Sequence, residues 1–371
     1  MRFPWFENSR EKQVTHFLRD ILRQPDELER VFDSLCTGAL PTLHKAADSI
    51  RSARHVYLTG MGSSWHAALN AGSLFHSAGF PVHTRDAADL LQFRSLPENS
   101  VIIVISRTGR SAEIVNLLPE ARRSKATVIG VTNSVDSPLA QEAQVPIVLP
   151  VTFDRAVSVN TYSTLSAAAS ILASAALESF DVSLATSLLS SIGDSAKAMA
   201  NWQEQIANTR WLAPGATYYF LARSSSLGSC NEARLLWEEA VKWPATALGT
   251  GSFRHGPQEM VAKSMRFGVW IDGQYMREED LAVARDLARL GASVMLIGQD
   301  LPEHGGDLVF QLPDIAPEWQ FLIDIIPAQL AAERLARLAG ADCDSFSICS
   351  FVVEDEYGLL HEDKSVPKDA G

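Results

Sequence analysis

Ser100-Val101-Ile102-Ile103-Val104-Ile105-Ser106-Arg107-Thr108-Gly109-Arg110-Ser111 is the stretch on which the fold turns. Val101 to Ile105 is an unbroken β-branched run, as expected of a strand buried on both faces in a parallel sheet. Hydroxyls and a glycine end the run, and residues 112–123 then read as a helix. Strand, polar turn and helix together form the repeating unit of a parallel α/β sheet. Similar units flank it. Residues 55–59 end in Gly60-Met61-Gly62-Ser63-Ser64 and a helical stretch to Ser77, and residues 80–84 could form a second strand. Residues 126–132 predict a further strand, and 145–150 a short edge strand.

The order then recurs. Tyr218-Tyr219-Phe220-Leu221-Ala222 leads into Arg223-Ser224-Ser225-Ser226 and a helix near Ser229, and residues 292–299 parallel 126–133. Duplication of one α/β unit accounts for this. Residues 181–214 read as a mostly helical link punctuated by Gly193 and Pro214. Ahead of the first unit, Phe17, Ile21, Leu22, Leu28, Val31, Phe32 and Leu35 mark one or two amphipathic helices over residues 11–35, with Pro25 as the expected break. The expected organisation is a helical lead-in (1–44), an α/β domain (45–190), a helical linker (191–213), a second α/β domain (214–350) and a tail (351–371).

The 371 residues, 46% apolar and 20% charged, leave room for two cores. A net charge of −12 argues against a general nucleic-acid or anionic-membrane binder. It does not exclude a small phosphorylated ligand held by backbone N–H groups. Cys36, Cys230, Cys343 and Cys349 form no CxxC pair, so neither a disulfide framework nor a metal site is expected. The start lacks a signal-peptide core, and the nearly apolar run 165–177 is too short for a bilayer, so a cytoplasmic protein is expected.

Ligands of open parallel sheets bind beyond the carboxyl ends of strands. Ser106, Thr108 and Ser111 offer hydroxyls at a helix N-terminus, Arg107 and Arg110 offer charge, and Gly62-Ser63-Ser64 is a similar nest. Each turn alone could be helix capping; two in one sheet favour a phosphate. A dinucleotide site is disfavoured because Trp65 stands where a third glycine belongs, and no lysine completes a P-loop. Further on, Glu232, Leu235, Leu236, Glu239 and Trp243 recur at helical spacing, so Glu232 and Glu239 share a face, which makes a carboxylate base conceivable beside the alternative of a solvated acidic face. Residues 249–257 form a glycine-rich loop carrying His255; a lone loop histidine is more often structural. His66, His76, His83, His304 and His361 receive that structural reading.

These turns, the Glu232–Glu239 helix, Arg254-His255-Gly256-Pro257 and the lead-in ending Gln24-Pro25 resemble the tandem sugar-isomerase (SIS) domain family. The likeness is to the isomerase half of glucosamine-6-phosphate synthase and to stand-alone phosphosugar deaminases and deglycases, and it covers most of residues 15–345. It implies two tandem SIS domains and a phosphate cradle at Ser64, Ser106, Arg107, Thr108 and Ser111, with Arg107 where the family has Gln. It implies sugar contacts at Gly62, Ser63, Ser158, Asn160 and Glu232, a C1/C2 proton shuttle at Glu239, and ring opening by His255 in the site of a neighbouring subunit. The synthase lysine three residues before the shuttle carboxylate is replaced by Leu236. The family's C-terminal imine-forming lysine matches Lys364 by local pattern, whereas a shorter alignment puts Phe351 there; Lys364 is taken as the match. The chain opens almost directly on the helical lead-in, with no glutaminase domain expected. The resemblance thus implies a homodimeric isomerase, deaminase or deglycase of a 6-phosphorylated aminosugar or sugar–amine adduct, without metal or cofactor. The other reading is a non-catalytic phosphosugar sensor.

Overall fold

The computed structural model describes residues 14–92, 96–356 and 358–359. Lys364 and His361 therefore lie outside the described residues. The chain opens with α1 (His16–Cys36) and α2 (Leu40–Ser52). The first sheet follows as β1 (His55–Thr59), α3 (Ser63–Ser77), β2 (His83–Thr84), α4 (Ala87–Leu91), β3 (Ser100–Ser106), α5 (Ala112–Arg123), β4 (Thr127–Thr132), α6 (Pro138–Glu142) and β5 (Val145–Val148). Two long helices, α7 (Asn160–Ala176) and α8 (Val182–Asn208), lead to the second sheet. There β6 (Thr217–Ala222), α9 (Leu227–Leu236), β7 (Ala245–Gly249), α10 (Thr250–Phe253) and β8 (Met265–Trp270) are followed by α11 (Arg277–Arg289), β9 (Ser293–Gly298), β10 (Leu308–Gln311) and α12 (Ile326–Ala339).

Both sheets are wholly parallel, and they share one topology. The first runs β2-β1-β3-β4-β5; the second, read from its opposite edge, runs β7-β6-β8-β9-β10. In each, the first strand lies between the second and the third, so the order reverses there and opens a crevice at the strand ends. The expected α/β class with two parallel sheets flanked by helices is what the chain adopts. β3 is buried along its whole length, as its uninterrupted apolar run predicts.

Two local expectations fail. Pro25 does not break the first helix; it is buried inside a continuous α1. A proline removes the donor for the carbonyl four residues back, here that of Ile21, and the Gln24 side-chain amide supplies it instead at 3.3 Å. Gln24 is fully buried and also donates to Gln329 Oε1 of α12 at 2.6 Å. Gly193 likewise punctuates nothing, because α8 runs through it.

The two sheets meet through α3, α7 and α9, whose packing forms much of the main core. α3 and α9 cross very closely. A Cβ on Gly228 would stand 1.9 Å from Asn70 Oδ1 and 2.6 Å from the His66 carbonyl, so only glycine fits. Around this crossing Asn70 donates to Tyr162 OH at 3.0 Å and to Ser166 at 3.1 Å, and Tyr162 OH meets Ser229 Oγ at 3.2 Å. Behind them sits Asp324, fully buried, with neither carboxylate oxygen hydrogen-bonded. Burial raises its carboxyl to about 6, and nearby Ser229, Ser226 and Gln320 only partly offset this. A carboxyl raised in the folded state weighs against folding above that value, and the cost disappears as pH falls below the ordinary 3.8. Asp324→Asn is therefore expected to gain about 2 kcal/mol at pH 8 and almost nothing near pH 4, read by urea melts at both pH values.

Candidate active site

The crevice of the first sheet lies between the ends of β1 and β3. After β3, Gly109 takes a positive φ of 59°, and a Cβ there would strike Ser137, so the turn is built for glycine. Ser106 Oγ accepts the Gly109 N–H at 3.1 Å, and Thr108 Oγ1 accepts that of Arg110 at 3.3 Å. Ser111 stands at the α5 N-cap but makes no side-chain cap bond, and α3 begins after Gly62 with no side-chain cap either. The capping alternative therefore fails for the helix-start serines, while Ser106 and Thr108 organise the turn itself. Arg110 points away, donating to the Asp136 carbonyl at 2.6 Å.

The second sheet has the same crevice, but its own carboxylates fill it. Asp272 accepts N–H bonds from Gln274, Tyr275 and Met276 at the start of α11, and Asp280 pairs with Arg223 at 2.7 Å.

Across from the first crevice, α9 gives way to one π-helical turn, Trp237–Val241, which carries Glu238 and Glu239. Such turns change the facing of a helix by widening it, and they concentrate at functional sites. Glu232, fully buried on α9, accepts Ser63 Oγ–H at 2.9 Å and pairs with His66 Nδ1 at 2.7 Å, both from the first turn of α3. Glu239 is half-buried. Its carboxyl is raised to about 7, chiefly by burial and then by the charge of Glu232, against the pull of Arg107 and Lys242. Glu238 instead pairs with Arg234 on the same helix.

Arg107 extends from the β3 turn toward this group. It donates to Ser158 Oγ at 3.3 Å and to the Phe351 carbonyl at 2.9 Å, and its guanidinium lies 4.0 Å over the Phe351 ring. Burial lowers its pKa, and the carboxylates of Asp154 and Glu239 oppose that. The segment after α12 thus straps the cleft. The Ser345 carbonyl accepts Lys242 Nζ at 2.8 Å, and the Val353 carbonyl takes the Ala112 N–H at 2.9 Å.

Contacts thus link Ser63 to Glu232 and Arg107 to Ser158, and both Glu232 and Arg107 act on Glu239; Ser106, Thr108 and Ser111 share the turn that carries Arg107, and Gly62 and Ser64 stand at the opening of α3. Asn160 does not join them. It is fully buried, its amide held by Asp154 at 2.8 Å and the Asp20 carbonyl at 3.0 Å. His255 lies on an exposed turn beyond α10 and is not drawn into this set. His66, given only a structural reading in the sequence, pairs with Glu232 from the same helix face as Ser63, and Lys242, which the sequence reading passed over, acts on Glu239. No group of metal-ligating side chains occurs among the described residues, and no described helix is long and apolar enough to cross a membrane.

Residues 49–177 match the SIS domain family. The chain is 26% identical over 365 residues to the isomerizing glutamine–fructose-6-phosphate aminotransferase of Symbiobacterium thermophilum, covering 93% of this chain and 60% of that protein. To the Bacillus subtilis enzyme of the same name it is 23% identical over 340 residues, covering 89% and 56%. The chain thus spans somewhat more than half the length of these relatives. Among solved structures, the C-terminal domain of glucosamine-fructose-6-phosphate aminotransferase from Francisella tularensis superposes with a TM-score of 0.79 at 16% identity, covering 91% of this chain and all 100% of that one. Tagatose-6-phosphate ketose/aldose isomerase from Escherichia coli gives 0.76 at 20% identity, covering 89% and 94%. Glucosamine-6-phosphate deaminase from Thermotoga maritima gives 0.74 at 22%, covering 89% and 97%.

Proposed function

We propose that this chain is an aldose–ketose isomerase of a 6-phosphorylated sugar, and that its substrate carries an amine which leaves by deamination or deglycation. The observation that carries the reading is Glu239, a half-buried carboxyl raised to about 7 and acted on by Arg107 of the hydroxyl-rich turn after β3. The turn suits a phosphate, since the uncapped Ser111 hydroxyl and its neighbour Thr108 stand at the start of α5, where the helix end favours an anion. The phosphate would hold the sugar so that C1 and C2 lie beside Glu239. A carboxylate with a pKa near neutrality can both take and return a carbon-bound proton. The SIS match and the names of the similar proteins support a phosphosugar ligand.

In this reading Ser64, Ser106, Thr108 and Ser111 receive the phosphate, while Gly62, Ser63, Ser158 and Glu232 line the sugar. Two SIS-type lobes make up the chain, spanning 45–190 and 214–350, and the protein works as a cytoplasmic homodimer. His255, exposed on its turn, would open the sugar ring in a neighbouring copy's site, and Lys364 would form the imine.

The test is incubation of purified protein with glucosamine 6-phosphate, and with fructose 6-phosphate plus ammonia, following ketose and ammonia. Turnover of either is expected. Tight binding of both sugars with no turnover of any aminosugar phosphate or glycated amine would identify a sensor instead. Borohydride trapping of a ketose phosphate on the wild type but not on Lys364→Ala is expected; equal trapping would exclude that lysine.

A further inference from the structure

We propose that Arg107 is a catalytic residue, the cation that stabilises the negative oxygen formed when Glu239 removes a carbon-bound proton; this rests on the isomerase reading above. Position within the phosphate turn suggests a phosphate ligand for it, but its side chain goes elsewhere. The guanidinium leaves the turn for Ser158 and Phe351, and it lies in the fields of Asp154 and Glu239.

Proton removal from C1 of an open-chain ketose sends the C–H pair into the C1–C2 bond and the carbonyl pair onto O2. Glu239 holds the proton and returns it to C2, while the O1 proton passes to O2, so the aldose forms with nothing gained or lost. The intermediate bears a full charge on oxygen, and in a water-poor cleft that charge needs a fixed donor or cation. Among the described residues two cations act on Glu239, Arg107 and Lys242. Lys242 is exposed, and its ammonium is taken by the carbonyls of Glu239 and Ser345. Leu236, one turn before Glu239, is buried and apolar. Arg107 remains. Of the five N–H groups of a guanidinium, its bonds engage one to a hydroxyl and one to a carbonyl, neither an anion, so others are free for a developing charge. The Phe351 ring and carbonyl together with Ser158 fix its plane, which is the preorganisation such a role requires.

The discriminating experiment separates kcat from binding in Arg107→Gln and Arg107→Lys. Steady-state isomerisation gives kcat, and calorimetric titration with inorganic phosphate gives the affinity of the nest without turnover. Arg107→Gln is expected to lower kcat by about 10²–10³-fold and to leave the phosphate Kd within about threefold, with Arg107→Lys between it and wild type. Phe351→Ala, which loosens the guanidinium while keeping its charge, is expected to lower kcat by a smaller factor. A phosphate Kd weakened about tenfold or more in Arg107→Gln with kcat retained would overturn the proposal and make Arg107 a phosphate clamp. A wild-type protein that binds phosphosugars without isomerising them would instead overturn the isomerase reading, and this proposal with it.

Discussion

Glu239→Gln is expected to lower phosphosugar turnover by about 10³-fold, within the usual range for losing a positioned general base, while affinity for the sugar phosphate stays within about threefold. The two effects separate because phosphate recognition is assigned to the β3 turn, across the cleft from the π turn that carries Glu239. The pH profile has a fixed sign. Only the ionised carboxylate accepts a proton, and burial with the nearby Glu232 charge holds its pKa up at about 7. kcat/KM should therefore rise as pH increases through 7 and level off above it. Glu232→Gln removes one of the raising influences, so the same limb should shift to lower pH. Ketose release at pH 5.5–9, with calorimetry for binding, checks both. Full turnover by Glu239→Gln would place the base elsewhere.

Gly228→Ala is expected to cost roughly 4 kcal/mol, more than the ~1–3 kcal/mol of ordinary overpacking. The added methyl would stand 1.9 Å from Asn70 Oδ1 and 2.6 Å from a backbone carbonyl, so relief requires α3 and α9 to part. That separation breaks the Ser63 and His66 bonds to Glu232, so the site should fail together with the fold. Urea melts should show the loss as a lower midpoint with an unchanged slope. Asn70→Ala in the Gly228→Ala background should recover part of it by removing the nearer obstacle. A variant as stable as the wild type would show that the two helices are not held at this distance.

Strands whose apolar runs stand out were legible in the sequence. β1, β3, β4, β6 and β9 fall within a residue of their expected bounds, because a strand buried on both faces is written in unbroken β-branched and aromatic residues. β7, β8 and β10 were not read. Ala245–Gly249 is an edge strand of small, half-buried residues with no apolar run, and Met265–Trp270 carries Arg266 and Gly268 inside it. Pro25 misled because the remedy for its missing N–H is a neighbouring side chain, which local propensity does not weigh. Glu232 and Glu239 were readable as one face since their spacing of seven is two helical turns. The π turn that redirects Glu239, and the buried partner His66, depend on contacts between segments more than 160 residues apart. The same holds for Arg107, whose direction is set by Ser158 and Phe351 and not by its own turn.

The joining of α1 to α12 bears on how the molecule is made. Gln24 meets Gln329, Thr15 Oγ1 donates to Glu333 at 2.8 Å, and the N–H groups of His16 and Phe17 end on Asp344 at 2.8 and 2.9 Å. Helix α1 is thus synthesised well before the α12 residues it meets. Until residues 326–344 emerge, Thr15, Gln24 and the first N–H groups of α1 lack those partners, while α7 and α8 already cover the helix. At about 5–20 residues per second the delay is tens of seconds, so these polar bonds are a late lock on a helix that other segments have already covered.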